Sequence, residues 1–359
     1  MDTAPPSLTA ASVTAVIPAH NASSTLGAAM DSLAGVAEVI VVDDGSTDET
    51  AAIAGGRGAR VVRHERPLGP AAARNAGIRA SSSDLVLLLD ADASAPPGWL
   101  EPLLARLGDP TAGGVAPRVR AHGDRSLLGR YEAAAGPLDL GSTGAVVRHD
   151  GPVPFVSTTA LLLRRAAWEQ ADGFAEELRF GEDLDLAWRL AALGRPLIYE
   201  PAVTVWHDHR PSIQDHLRNR YRYGTASGPL ARRHPGLLRA AVAPPLLSAA
   251  FLAAVTGRRR IAVAAAAVSV ARDAASPDPA GSGVGRRLRN AIATHTDAAR
   301  GLAAAVSRPW LPLAFVLGAV VPRARAPIAV AMGARSVIVR RRLRPDLGVV
   351  PWVALRALD

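Results

Sequence analysis

An α/β fold, built on a doubly wound sheet and followed by an apolar, mainly helical region, is predicted by three observations. From Thr14 to Val205, short apolar runs alternate with helix-compatible segments, the pattern of repeated strand–helix–strand units. The 359 residues are 49% hydrophobic, enough for one large domain and a smaller appended region. Beyond residue 230 the alternation stops, and apolar stretches separated by arginines take over.

Each element has its own warrant. TAVIPA (Thr14–Ala19) reads as a first buried strand with Pro18 at its end. STLGAAMDSLAG (Ser24–Gly35) reads as a helix closed by glycine. EVIVVDD (Glu38–Asp44) is the second strand, DETAAIAGG (Asp48–Gly56) a short helix and RVVRH (Arg60–His64) a third strand. GPAAARNAGIRAS (Gly69–Ser81) is a helix, DLVLLLDAD (Asp84–Asp92) a strongly apolar fourth strand, and WLEPLLARLG (Trp99–Gly108) an amphipathic helix. GGVAPRVRA (Gly113–Ala121) returns to strand character, whereas Asp124–Pro154 is mixed and Gly-rich, which predicts loops. FVSTTALLLRR (Phe155–Arg165) is a strand, EDLDLAWRLAALG (Glu182–Gly194) a helix and PLIYEPAVTVWH (Pro196–His207) a closing extended segment. In such a sheet, ligands bind outside the carboxyl ends of the strands.

In the C-terminal region, Ala243–Thr256, Ile261–Ala271, Trp310–Pro322 and Ile328–Val339 are apolar, with a linker at Ser276–Gly285. None reaches the roughly 18–20 apolar residues of an ordinary spanning helix. A hairpin, an interfacial helix pair and a soluble Ala-rich cap all remain open. The formal charge is +9, and all 41 basic positions are Arg. Two clusters, Arg258–Arg260 and Arg340–Arg342 with Arg344, flank these segments without interleaved aromatics. That argues for an anionic membrane surface and against nucleic acid, a plain solvated face being the alternative. With no cysteine, disulfides and thiolate metal sites are excluded, so any metal must be held by carboxylates and imidazoles. MDTAPPSLTA lacks a basic segment leading into an apolar one, so a secretory signal is not expected and the first region is assigned to the cytoplasm.

Two acidic motifs sit at strand ends. Asp43-Asp44-Gly45-Ser46-Thr47-Asp48 places carboxylates where a ligand N–H or hydroxyl, such as those of uracil and ribose, needs an acceptor. The same residues suit an Asx-turn with a helix cap at Ser46 or Asp48. Asp90-Ala91-Asp92 follows the apolar run Leu85–Leu89, so both carboxylates can converge on one hard cation. Alone, such a triplet is a weak signal; after this strand and beyond the first motif, it is a strong one. Arg74, in the first turns of a helix facing the same edge, suits a carbonyl or a diphosphate, or a structural ion pair. Glu182 and Asp183 follow Gly181 at a helix start, where the dipole keeps a carboxylate ionised. Decoration of the first turn is the competing reading.

Taken in order, TAVIPAHN, VVDDGSTDET, LGPAAARNAG, LLLDADA and FGEDLDLAWRLAALG resemble the family 2 inverting glycosyltransferases of the GT-A fold, over residues 13–225. The resemblance implies a nucleotide-sugar-binding domain in which the D-x-D pair, here Asp90 and Asp92, holds Mg²⁺ or Mn²⁺ on the donor diphosphate. It makes Asp183 the general base, with Glu182 beside it. A histidine at the end of the extended run completes the metal site in such enzymes; His207 matches that position better than His209. HLRNRYRYG (His216–Gly224) stands where a Q-x-x-R-W-like motif is found, and although the pattern is incomplete, Arg220 takes the phosphate-contact position. The donor-binding set is then Pro18, Asp43, Asp44, Arg74, Asp90, Asp92 and Arg220. More narrowly, RYEAAAGPLDLG, YEPAVTVWHDHR and YGTASGPLARRHP look like the actinobacterial mycofactocin-system glycosyltransferases. That likeness implies glucose transfer from UDP-glucose onto a peptide-derived redox cofactor.

The expectation is a glycosyltransferase domain at 1–230 and a helical region at 231–359, associated with the inner face of the cytoplasmic membrane. Its partners are a nucleotide-sugar donor and a hydroxyl acceptor. A polyprenyl-phosphate or cell-envelope glycan glycosyltransferase is the enzymatic alternative. A silent sugar-binding membrane scaffold is the non-enzymatic one, and the Asp90, Asp92 and Asp183 set argues against it.

Overall fold

Strands that are apolar at every position need cover on both faces, and here the helices supply it. The computed structural model describes residues 9–122, 126–208, 212–238 and 245–275, with short stretches between 284 and 352. The chain divides into two units, Met1–Leu237 and Leu238–Asp359.

In the first unit, β1 (Val13–Ala19), α1 (Leu26–Asp31), β2 (Glu38–Asp44), α2 (Thr50–Gly56), β3 (Arg60–His64), α3 (Pro70–Ala80) and β4 (Leu85–Leu89) alternate as expected. There follow β5 (Ala93–Ser94), α4 (Leu100–Arg106), β6 (Gly114–Ala121), α5 (Leu127–Ala135), β7 (Ala145–Val146), β8 (Ala160–Arg164) and α6 (Arg165–Gln170). The unit continues with α7 (Glu182–Ala192), β9 (Leu197–His207), α8 (Ile213–Thr225) and α9 (Ser227–Arg233). The sheet order is β3-β2-β1-β4-β8-β6-β9-β5, and β7 pairs with β9.

The first four strands in that order are parallel. Beyond β4 the sheet is mixed: β8 runs antiparallel to both β4 and β6, while β6 and β9 are parallel. A uniformly doubly wound sheet is therefore not what forms. The register between β6 and β9 shifts at Pro117/Arg118, where proline has no N–H to offer the ladder.

Alternation along each strand divides its side chains between two apolar layers. Ala15, Ile17, Leu85, Leu87 and Leu89 join α1 and α4 residues such as Leu26 and Leu103 in one layer. Val16, Ile40, Val42, Val86 and Leu88 meet Ile78 of α3, Trp168 of α6 and Leu186 and Leu190 of α7 in the other. A two-sided core of this kind explains unbroken runs such as Leu85–Leu89.

Helix α5 forms inside the stretch expected to be loop. Ser126 caps it, its Oγ accepting from Gly129 N at 2.9 Å, and Leu128 and Tyr131 are buried. The glycines around it masked this short apolar face. Strand β8 is shorter than the apolar run that announced it, starting only at Ala160.

In the second unit, α10 (Pro245–Val255) and α11 (Arg259–Ala275) pack as a helical hairpin. Its turn is closed by Arg258 N donating to Ala253 O at 2.8 Å, with Gly257 at φ 81°. Among the described residues, no helix is long and apolar enough to cross a membrane. His209, the Arg340–Arg344 cluster and most of Trp310–Pro322 and Ile328–Val339 lie outside the described residues, as do residues 276–283 of the expected linker.

Candidate active site

At the carboxyl ends of β1, β2 and β4 opens a cleft of ≈ 1030 Å³, with Pro18, Asp44, Arg74, Asp90, Asp92 and His207 in its wall. The alternation of a strand separates the two aspartates of β2. Asp43 is fully buried, and its Oδ1 accepts from Ser46 N at 2.9 Å, while Oδ2 stands 3.3 Å from Arg63 Nη1. It stabilises the turn and is absent from the cleft wall. Asp44 faces the cleft and organises its rim. Oδ1 accepts from Leu68 N at 2.9 Å and pairs with His64 Nδ1 at 2.7 Å; Oδ2 accepts from Gly69 N at 2.8 Å.

The end of β4 turns sharply, Ala93 N donating to Asp90 O at 3.0 Å, and the chain then pairs as β5 with the end of β9. That pairing sets Ala93 opposite His207 and brings His207 Nε2 to 3.2 Å from Asp92 Oδ1. One ligand atom each from Asp90, Asp92 and His207 lies within 4.8 Å of the other two. Burial works against a charged His207, yet the hydrogen bond it donates to Asp92 and the charges of Asp92, Asp90 and Asp208 raise its pKa. Two carboxylate oxygens and one imidazole in so negative a field fit a divalent cation of the Mg²⁺ or Mn²⁺ kind.

Arg74 joins this group to the start of α7. Its side chain is buried, with Nη2 2.9 Å from Asp90 Oδ1 and Nη1 2.8 Å from Glu182 Oε1. Both outer nitrogens are thereby committed to carboxylates, so the guanidinium positions the Asp90 end of β4 and the start of α7 relative to each other. Arg74 and Glu182 are 108 residues apart in sequence. Asp183, in the first turn of α7, is half-buried; burial, then the charge of Glu182, pushes its carboxyl up to about 7. The Leu184 amide, donating to its Oδ1 at 2.8 Å, and Arg74 oppose that rise.

Arg220 lies away from the cleft wall, 3.7 Å from Glu132 Oε1, in a cluster where His216 Nδ1 meets the same oxygen at 2.5 Å. Its neighbour Arg222 lines the cleft instead, since residues two apart on a helix point in different directions.

Two residues went unnoticed in the sequence. Asn75 is buried and satisfied on both sides: Nδ2 donates to Phe174 O and Glu176 Oε1, and Oδ1 accepts from Phe174 N and Trp168 Nε1. It ties α3 to the segment that leads into α7. Asp185, fully buried in α7, accepts from Arg189, Arg233 and His234 and so anchors α9. Burial raises its pKa, but these hydrogen bonds outweigh burial and hold it below the usual range. A third carboxylate in the run Glu182–Asp185 was the available hint.

Residues 14–170 match the domain described as Glycosyl transferase family 2. Over 376 residues the chain is 35% identical to the pre-mycofactocin glycosyltransferase of Mycobacterium tuberculosis, covering 97% of this chain and 77% of that protein. It is 38% identical over 199 residues to the succinoglycan biosynthesis protein ExoU of Rhizobium meliloti, covering 50% of this chain and 56% of that one. Among solved structures, the mannosyltransferase PcManGT from Pyrobaculum calidifontis, in complex with GDP-Man and Mn²⁺, is similar with a TM-score of 0.47. Its sequence is 21% identical, with 83% of this chain and 87% of that chain covered.

Proposed function

Since the chain belongs to the family 2 glycosyltransferases, we propose that it moves a hexose, glucose from UDP-glucose, onto an acceptor hydroxyl with inversion. The observation that carries this reading is the pairing of Arg74 with Asp90 on one side and Glu182 on the other, which ties a cation-competent carboxylate set to a carboxylate suited to proton removal. Asp183 accepts the proton of the acceptor hydroxyl while that oxygen attacks the anomeric carbon. The bond from that carbon to the diphosphate breaks, and UDP leaves with the electron pair. Asp90, Asp92 and His207 would hold Mg²⁺ or Mn²⁺, which when bound supplies positive charge for the diphosphate oxygens. Asp44 and Pro18, in the wall of the same cleft, suit the nucleoside.

The acceptor proposed is a peptide-derived cofactor precursor, in keeping with the M. tuberculosis relative. UDP-glucose with Mn²⁺ should raise the melting temperature, because a ligand bound only by the folded state stabilises it. UDP should be released in the presence of acceptor, and EDTA should abolish that release. Full turnover in EDTA would remove the metal-assisted reading.

A second reading, transfer to a polyprenyl phosphate or an envelope glycan at the inner face of the membrane, is favoured by α10 and α11. Leu252, Ile261, Val263 and Val268 are exposed there, next to Arg258–Arg260. Transfer to a polyprenyl phosphate in preference to the peptide-derived acceptor distinguishes the two.

A further inference from the structure

Strand β3 closes one end of the sheet, and its last two residues stand in register with the two aspartates of β2: Arg63 opposite Asp43, and His64 opposite Asp44. Alternation gives each carboxylate its own partner. Arg63 Nη1 lies 3.3 Å from Asp43 Oδ2, and His64 Nδ1 lies 2.7 Å from Asp44 Oδ1. Asp44 is part of the cleft wall, whereas His64 is not. Its ring is largely buried, with 14% of the side chain exposed.

A carboxylate can only accept hydrogen bonds, so Nδ1 carries the hydrogen and the imidazole donates. The two oxygens of a carboxylate offer about four acceptor positions. On Asp44 Oδ1 both are taken, by Leu68 N at 2.9 Å and by His64. On Oδ2 one is taken, by Gly69 N at 2.8 Å, and one remains. The main chain of Asp44 is held as well, its carbonyl oxygen 2.8 Å from His20 Nδ1.

One acceptor position suits a base that presents one N–H. Uracil and thymine do so, with an imide N–H between two carbonyls. Guanine presents two neighbouring N–H groups, which together need both oxygens of a carboxylate. With Oδ1 filled, one of those donors is left unpaired on binding, and an unpaired donor costs affinity. Cytosine and adenine turn a ring-nitrogen lone pair toward the same carboxylate, which repels it.

We propose that His64 is a positioning residue that sets the choice of donor base: by filling Oδ1 it leaves Asp44 a single acceptor, and the cleft takes an imide base in preference to guanine. His64 acts through Asp44 and does not touch the nucleotide. This rests on the reading given above, in which the cleft binds a nucleotide-sugar and Asp44 meets its nucleoside, and adds to it the residue that selects the base.

The test is equilibrium binding of UDP and of GDP to the full chain with Mn²⁺, followed by titration calorimetry. Wild type should bind UDP more tightly. His64→Ala and His64→Leu both remove the N–H, the second keeping most of the bulk. In each, the ratio of the GDP Kd to the UDP Kd should fall about tenfold, the worth of one hydrogen bond to a charged group. His64→Asn, whose amide nitrogen can take the place of Nδ1, should restore the ratio. A merely structural His64 would weaken both nucleotides alike, so an unchanged ratio in the alanine and leucine variants overturns the proposal. A ratio as low in His64→Asn as in His64→Ala does so too, as does a wild type that binds UDP but binds GDP as tightly. Wild type that binds neither nucleotide overturns the underlying reading, and the proposal with it.

Discussion

In the proposed reaction Asp183 must be ionised to act as the base, yet its surroundings favour the protonated form. Burial and Glu182 raise its carboxyl to about 7, so the ionised base is depleted as pH falls below neutrality. The pH profile of kcat should therefore show an acid limb near that value. Arg74 lowers the Asp183 pKa, so Arg74→Gln should move the limb to higher pH, and Arg74→Lys should move it less. A limb that stays in place in Arg74→Gln would show that the guanidinium does not act on the base. Asp183→Asn should lower kcat by about 10²–10⁴-fold, the usual contribution of a general base, while UDP-glucose binds as before. The same substitution should stabilise the protein at alkaline pH. A carboxyl whose folded pKa lies above its unfolded value contributes stability below the unfolded pKa and loses it as pH rises through the folded one. Melting curves at pH 8 should thus place Asp183→Asn above wild type; a lower melting temperature contradicts the assigned shift.

At the scale of the element, α3 does three jobs within two turns. Arg74 spans Asp90 and Glu182, Asn75 fastens the approach to α7, and Gly77 sets the distance to the sheet. A Cβ at Gly77 would come within 2.3 Å of Val16 Cγ1 and 3.0 Å of Val42 Cγ2. Overpacking of this kind costs about 1–3 kcal/mol, so Gly77→Ala should lower the midpoint of urea unfolding. Because the clash is with Val16, adding Val16→Ala should recover part of the loss, as a double-mutant cycle would register. Strict additivity of the two substitutions argues against that contact. Donor affinity should fall with Gly77→Ala as well, since any shift of α3 carries Arg74 with it.

For the whole molecule, the division at Leu237 puts every described wall residue of the cleft in the first unit. A chain ending at Leu237 should therefore bind UDP-glucose with Mn²⁺ as the full chain does. The exposed apolar side chains of α10 and α11, with Arg258 in the turn and Arg259 and Arg260 at the start of α11, belong to the second unit. Each basic residue near an anionic surface contributes about 1 kcal/mol, and salt weakens the attraction. The full chain should cosediment with phosphatidylserine vesicles at low salt, whereas the shortened chain should not. Equal cosedimentation of the two would locate membrane contact elsewhere or nowhere.

Periodicity is a local property, and what is local was legible. The runs Thr14–Ala19, Glu38–Asp44 and Leu85–Leu89 identify buried strands because residues two apart share a layer, and the carboxylates at their ends mark the edge where a ligand can bind. Alternation also requires that Asp43 and Asp44 face different ways, yet it does not say which of them meets the cleft. That depends on which layer lies beneath β2, and the structure gives the cleft to Asp44. The reversal of β8 was equally beyond reach, since strand direction depends on how a long connection returns to the sheet. His207 meets Asp92 through the pairing of β5 with β9, and Arg74 meets Glu182 across 108 residues. Such contacts depend on register and helix docking, which follow from how the layers pack. The sequence by itself determined the α/β class and the acidic motifs from which the candidate site is built. Tertiary structure decided which of them face one another, because that distance is set by packing between elements and not by spacing within one.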